Sequence, residues 1–201
     1  MRTTIAALIH TIAPYDTLEE QHKQATLCWI NSGAPLYRIH KPATPPQHLV
    51  AYFAVFDPAQ QQLLLVDHRQ AELWLPTGGH VEPDEHPQTA VIREAREELG
   101  LRARFLLPNP LFLTVTQTVG HSAGHTDVSL WYVLHGDSQQ ALRYDHSEFL
   151  QVTWFPLKQL PYERSDPHLR RFVAKLQQFG ATEPEKTPAP RRIRRSSSQL
   201  R

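Results

Sequence analysis

The stretch from Leu73 to Leu101 constrains this chain more than any other. It runs from a short apolar strand, Leu73-Trp74-Leu75-Pro76, through Gly78-Gly79 into a helix predicted over residues 87–99. Pro87 stands in the first turn, where its missing N–H costs nothing. Gly100 stands just past the end, where a left-handed residue closes a helix. Val91, Ile92, Ala95 and Leu99 are read as the buried side. Glu94, Glu97 and Glu98, related by i+3 and i+4, place three carboxylates within about 100° of one face. Like charges at that spacing cost a helix ~0.2–0.5 kcal/mol per pair. Arg93, one turn before Glu97, and Arg96 relieve part of this. Taken alone, such a cluster reads as a solvated acidic face as readily as a site.

Here the cluster is not alone. The two glycines are expected to form a tight turn that exposes carbonyl oxygens beside the helix. Glu85 lies in the intervening loop with reach to Arg93. Clustered carboxylates plus a carbonyl are hard oxygen ligands, which suit magnesium or manganese. Magnesium keeps several waters and completes its shell with substrate phosphates.

Around this segment the chain divides into three. Residues 1–47 form a helical lead-in. Ile5, Leu8, Ile9 and Ile12 follow helical spacing, and Pro14 ends that helix. Asp16 with Glu19 makes a capping box for a second helix running to Ile30, stopped by Asn31-Ser32-Gly33. These helices pack on the main domain or form part of a homodimer contact. Four of the seventeen prolines lie in the connector at residues 34–47. Residues 48–180 carry the strands: 48–56 and 62–67 as a hairpin, 72–75, strand material within 104–119, then 126–135 and 149–155. Leu169, Phe172, Val173, Leu176 and Phe179 mark a closing amphipathic helix stopped by Gly180. Strands interrupted by one helix and closed by another predict an α/β sandwich with a mixed sheet. Residues 181–201 are rich in Pro, Ser and Arg and are expected to be a disordered basic tail.

At this point Gly79-x5-Glu85-x7-Arg93-Glu94-Ala95-x-Glu97-Glu98-x-Gly100-Leu101 resembles the Nudix hydrolase signature at every fixed position. Ala95 stands where that family usually carries a larger aliphatic residue. The resemblance implies a Nudix-type α/β/α sandwich, extended at its N-terminus by the helices. It implies divalent-metal-dependent hydrolysis of a pyrophosphate bond in a nucleoside diphosphate derivative. By position, Glu94, Glu97 and Glu98 would bind Mg2+ or Mn2+, with the Gly78 carbonyl as a further ligand. Glu85 and Arg93 would brace loop against helix. Family members differ in which carboxylate acts as base, and Glu148, on a later loop, is the candidate beside the helix residues. An exposed loop carboxylate would read the same way.

The substrate is less legible. ADP-ribose-type members tend to carry a proline some fifteen residues past the signature, where this chain has Val115, Thr116 and Gln117. A nucleoside triphosphate or similar small nucleotide is the expected substrate. The alternative is a nucleotide-sensing or regulatory module without turnover, which an intact signature argues against. Isomerisation of an isoprenoid diphosphate would need a cysteine near the site, and Cys28 precedes the sheet.

Trp74 and Trp131 are candidates to stack on a base, though strand aromatics more often pack a core. His121 and His125 flank Gly124 before a strand and could touch phosphate, though surface histidines look alike. The twelve histidines are spread with no two pairs at metal-ligand spacing, so a histidine-built metal site is not expected. Cys28 is expected to be an inert buried thiol. A single cysteine excludes an internal disulfide and fits a reducing cytoplasm. The start lacks a signal-peptide pattern. The longest apolar run, residues 49–56, is far below the ~18 needed to span a bilayer. From Glu183 to Arg201 there are six basic and two acidic residues, against fifteen and eighteen elsewhere. Such a tail could touch nucleic acid, but nothing aromatic is interleaved for stacking, and a solubilising end is the plainer reading.

Overall fold

The computed structural model describes residues 1–40, 44–119 and 124–182. His121 and the tail from Glu183 onward lie outside the described residues. β1 (Gln47–Asp57) and β2 (Gln62–His68) form the expected antiparallel hairpin. The Asp57 carboxylate shapes its turn, accepting hydrogen bonds from the Ala59 and Gln60 N–H groups at 2.9 and 3.0 Å. β6 (Thr126–His135) lies parallel to β1, and β5 (Phe112–Gln117) pairs antiparallel with the far side of β6. β2 also carries β3 (Leu73–Leu75) and β7 (Phe149–Pro156). The sheet is therefore mixed, in the order β3-β2-β1-β6-β5, with β7 on β2.

A seventh strand was not expected. Gly78 and Gly79 do not form a turn; they lie within β4 (Thr77–His80), which pairs antiparallel with Val50, Ala51, Tyr52 and Phe53 of β1. The glycines serve close approach instead of chain reversal. Gly78 has φ +153°, and a Cβ there would collide with the Ala51 carbonyl. β1 thus pairs with β4 over Val50 to Phe53 and with β2 from Val55 to Asp57. Where it exchanges one neighbour for the other, a cleft opens.

Helices cover both faces, as the apolar patterning requires. α1 (Arg2–Thr11), the end of α2 (Thr17–Asn31) and α3 (Pro87–Leu99) share one core with Leu49, Ala51, Phe53 and Leu130. α4 (Leu169–Thr182) packs Leu169, Phe172 and Leu176 against Leu63, Leu65 and Trp131 on the other face. α4 runs through Gly180 instead of stopping there. A helical glycine costs about 1 kcal/mol, which does not force an end. α3 ends as read, with Gly100 left-handed at φ 62°.

α2 lies along the edge strand β5. The Leu113 N–H donates to the Glu19 carboxylate at 3.1 Å, and the Val115 N–H to His22 Nδ1 at 3.3 Å. Two donors that an open edge would offer to another chain are thereby satisfied. Asp16 caps α2 through the Glu19 N–H at 2.9 Å, but the Glu19 carboxylate reaches back to the Tyr15 N–H at 2.6 Å, not to Asp16. Two sequence expectations fail on helix faces. Ile92 is 49% exposed, because it sits about 100° around from Val91, outside the arc that meets the sheet. Cys28 is exposed, because α2 buries Thr26 and Ile30 and the position between them faces away. No helix among the described residues is long and apolar enough to cross a membrane.

Candidate active site

The cleft has a volume of about 860 Å³, and β4, the buried side of α3 and the loop before β7 supply one wall. Gly78, Gly79, Glu94, Glu98 and Glu148 all line it. A Cβ on Gly79 would collide with the Glu94 carboxylate, so the bare backbone is what lets α3 press its acidic side onto β4. Glu98 is buried, and the Thr77 hydroxyl donates a hydrogen bond to it. Glu148 is exposed at the rim. Its loop is pinned from two sides: the Asp145 N–H donates to the Glu98 carbonyl at 2.9 Å, and the Arg69 N–H donates to the Glu148 carbonyl at 2.9 Å.

Glu97 stands apart from the other two glutamates of its helix. Its side chain is 62% exposed, outside the cleft lining, 3.7 Å from Arg93 Nη1. Arg93 ties the neighbourhood together. Its Nε and Nη2 donate to the two oxygens of Glu85 at 3.0 and 2.9 Å, Nη1 donates to Glu94 at 2.5 Å, and Nη2 also reaches the His80 carbonyl at 3.2 Å. Loop, helix and strand thus meet on one guanidinium.

The electrostatics set the acidic groups apart. Burial pushes the Glu98 carboxyl up to about 9, and the nearby charges of Glu94 and Glu148 add to the effect, against the pull of the Thr77 hydrogen bond. Burial also raises Glu94, with Arg93 working the other way. Glu85 is partly desolvated too, yet its bonds to Arg93 outweigh that and hold it below the ordinary value. Burial and neighbouring carboxylates thus favour a proton on Glu98, and a cation placed between these groups would favour its charged form instead. Their oxygens, with the Gly78 carbonyl in the same cleft, are a hard donor set that fits Mg2+ or Mn2+.

The aromatic candidates do not reach this cleft. Trp131 is fully buried and donates its Nε1–H to Thr114 at 2.9 Å, and Trp74 packs edge-on against Phe155. His125 is no surface histidine; it is buried beside His48, His80 and Asp127, and with His80 and Asp127 it lines the same cleft. That group was missed because its members are scattered in the sequence. The pair His125-x-Asp127 at the start of a strand is the one local signal, since alternate residues share a face. The β1–β6 register then sets His48 opposite Asp127, and β4 brings His80.

A sequence model of the NUDIX domain matches residues 46–176, more than half of the chain, and the chain belongs to the NUDIX family. A curated relative, the CTP pyrophosphohydrolase of Escherichia coli K12, is 59% identical over 34 residues, 17% of this chain and 25% of that protein. The chain thus matches about a quarter of that relative's length. Among solved structures, a NUDIX-family hydrolase from Clostridium perfringens superposes with a TM-score of 0.52 at 22% identity, covering 66% of this chain and 97% of the other. The MutT protein from Methanosarcina mazei Go1 gives 0.53 at 17% identity, covering 67% and 96%. Both likenesses concern the fold.

Proposed function

We propose that this chain hydrolyses a phosphoanhydride bond of a nucleoside triphosphate or similar small nucleotide, with Mg2+ or Mn2+ as cofactor. The observation that carries the reading is the buried Glu98, which with Glu94 of the same signature helix and Glu148 of the loop before β7 lines the cleft. Glu94, Glu98 and the Gly78 carbonyl hold the ion, and Glu97 contributes from the helix's outer side. When bound, such an ion neutralises the polyphosphate and lowers the pKa of an attacking water.

The chain's own groups do the rest. Glu148, at the solvent-facing rim, takes the proton of the attacking water. Glu85 and Arg93 act through Glu94, fixing its carboxylate at the place where β4 runs beneath it. Thr77 orients Glu98 by its hydroxyl. A reducing cytoplasm, consistent with one cysteine, is the setting of this reading. The name of the Escherichia coli relative puts CTP among the substrates to try.

The test is a product screen of the purified chain with magnesium against CTP, the other canonical triphosphates, oxidised triphosphates, nucleotide sugars and dinucleoside polyphosphates. The reading expects a nucleoside monophosphate and pyrophosphate from at least one triphosphate. Binding of nucleotides without any turnover across the panel would contradict it.

A further inference from the structure

We propose that His48, His80, His125 and Asp127 form a second metal site, one that takes a borderline-soft divalent ion of the zinc class and clasps the ends of β1, β4 and β6. The four ligand atoms all lie within 4.8 Å of one another. His48 Nε2 is 2.9 Å from His80 Nε2 and 3.2 Å from Asp127 Oδ1, which is 3.4 Å from His125 Nε2 and 4.0 Å from His80 Nε2. Ligands bonded to zinc at ~2.0–2.1 Å in a tetrahedron stand about 3.3–3.4 Å apart. Two of these separations, 3.2 and 3.4 Å, are close to that spacing, and small side-chain shifts would bring the 2.9 and 4.0 Å ones to it.

One hydrogen bond joins His80 Nε2 to His48 Nε2, but among the described residues none reaches Asp127 Oδ1. His48 Nδ1 lies 3.0 Å from the Pro45 carbonyl, which can only accept, so Nδ1 carries the proton. His48 Nε2 points toward the Asp127 carboxylate, 3.2 Å away. Asp127 Oδ1 is buried and, among the described residues, accepts no hydrogen bond, although three ring nitrogens stand within 4.0 Å. A buried acceptor atom left without a donor is costly. One divalent cation among the four atoms removes that cost. The Pro45 carbonyl does what the outer partner of a ligating histidine does: it fixes tautomer and ring direction.

The donor set separates this site from the one on α3. Three imidazoles and one carboxylate favour zinc over magnesium, whereas the α3 wall offers oxygen alone. Four protein ligands fill a tetrahedron and leave no open position, which marks a structural clasp. It would pin three strand ends beside the cleft.

The experiment uses the full chain, stripped with chelator, reloaded with zinc alone, and dialysed against excess magnesium. Elemental analysis should find about one zinc per chain, and cobalt in its place should give the intense visible absorption of a four-coordinate ion. His125→Ala and Asp127→Asn should each weaken zinc binding by at least about tenfold, while Glu98→Gln should retain it. Circular dichroism of the metal-free variants checks that they fold, and the cobalt spectrum of the unaltered chain decides the matter if they do not. Zinc that magnesium displaces, a weak six-coordinate cobalt spectrum, or zinc retained equally by both variants would overturn the proposal.

Discussion

Arg93 holds Glu85 by two parallel hydrogen bonds, 3.0 and 2.9 Å long, across the loop that joins β4 to α3. The same guanidinium reaches Glu94 and the His80 carbonyl, so one side chain sets the position of a cleft carboxylate against the strand beneath it. Lysine keeps the charge but cannot make the fork. Arg93→Lys should lower kcat/KM by about 10–100-fold, the usual cost of losing an outer partner of a metal ligand. Steady-state kinetics with a magnesium titration checks this, and the required magnesium concentration should rise. An unchanged titration would show that Arg93 does not position Glu94.

Glu97 and Glu98 are adjacent in the sequence and differ in the fold, one largely exposed beside Arg93, the other buried on the cleft. Glu98→Gln should therefore cost far more activity than Glu97→Gln. Parallel rate measurements on the two variants decide it, and equal losses would place Glu97 in the metal's inner shell.

Burial raises Glu98 from its ordinary value near 4.5 to about 9. The folded chain without metal therefore holds a proton that the unfolded chain releases. That stabilisation is complete below about pH 4.5 and is lost as pH rises toward 9. Metal-free melts of the unaltered chain should lose stability over that window relative to Glu98→Gln. Magnesium should offset the loss only in the unaltered chain. Parallel pH profiles for the two proteins would refute the environment assigned to Glu98.

Lys175 Nζ lies 2.8 and 3.0 Å from the two oxygens of Glu19, and neither residue is more than a tenth exposed. This pair joins α4 to α2, and Arg171 adds a fork to Asp16 at 2.7 and 2.5 Å. Lys175→Met strands a buried carboxylate and should cost about 3–5 kcal/mol in urea unfolding. A loss below ~1 kcal/mol would mean that Glu19 is satisfied by its backbone donors alone.

The signature helix is legible in the sequence because its signals are local: Pro87 at one end, Gly100 at the other, and glutamates at helical spacing. The hairpin of β1 and β2 is legible for the same reason. β4 is not, since Gly78-Gly79 obeys the local rule for a turn, and only tertiary contacts, Gly78 with Ala51 and Gly79 with Glu94, explain the glycines. Glu19 reads as a cap because its neighbour Asp16 is three residues away; its salt bridge to Lys175 depends on how α4 packs. The histidine cluster is the extreme case. His48 and His80 meet only because β1 pairs with β4, and Asp127 joins them through the parallel register with β6.

The central claim is that the wall formed by Glu94, Glu98 and Glu148 is a magnesium-dependent site for phosphoanhydride hydrolysis. Initial rates of pyrophosphate release from the best triphosphate, with magnesium titrated, test it most directly when paired with melts of the unaltered chain and Glu98→Gln. Turnover in the variant should fall by at least about a hundredfold, since charge stabilisation by a bound metal is worth several kcal/mol. The variant without metal should melt no earlier than the unaltered chain, and magnesium should raise its melting temperature much less. A Glu98→Gln protein that melts early without metal yet keeps its activity would contradict the assignment and make Glu98 a structural residue.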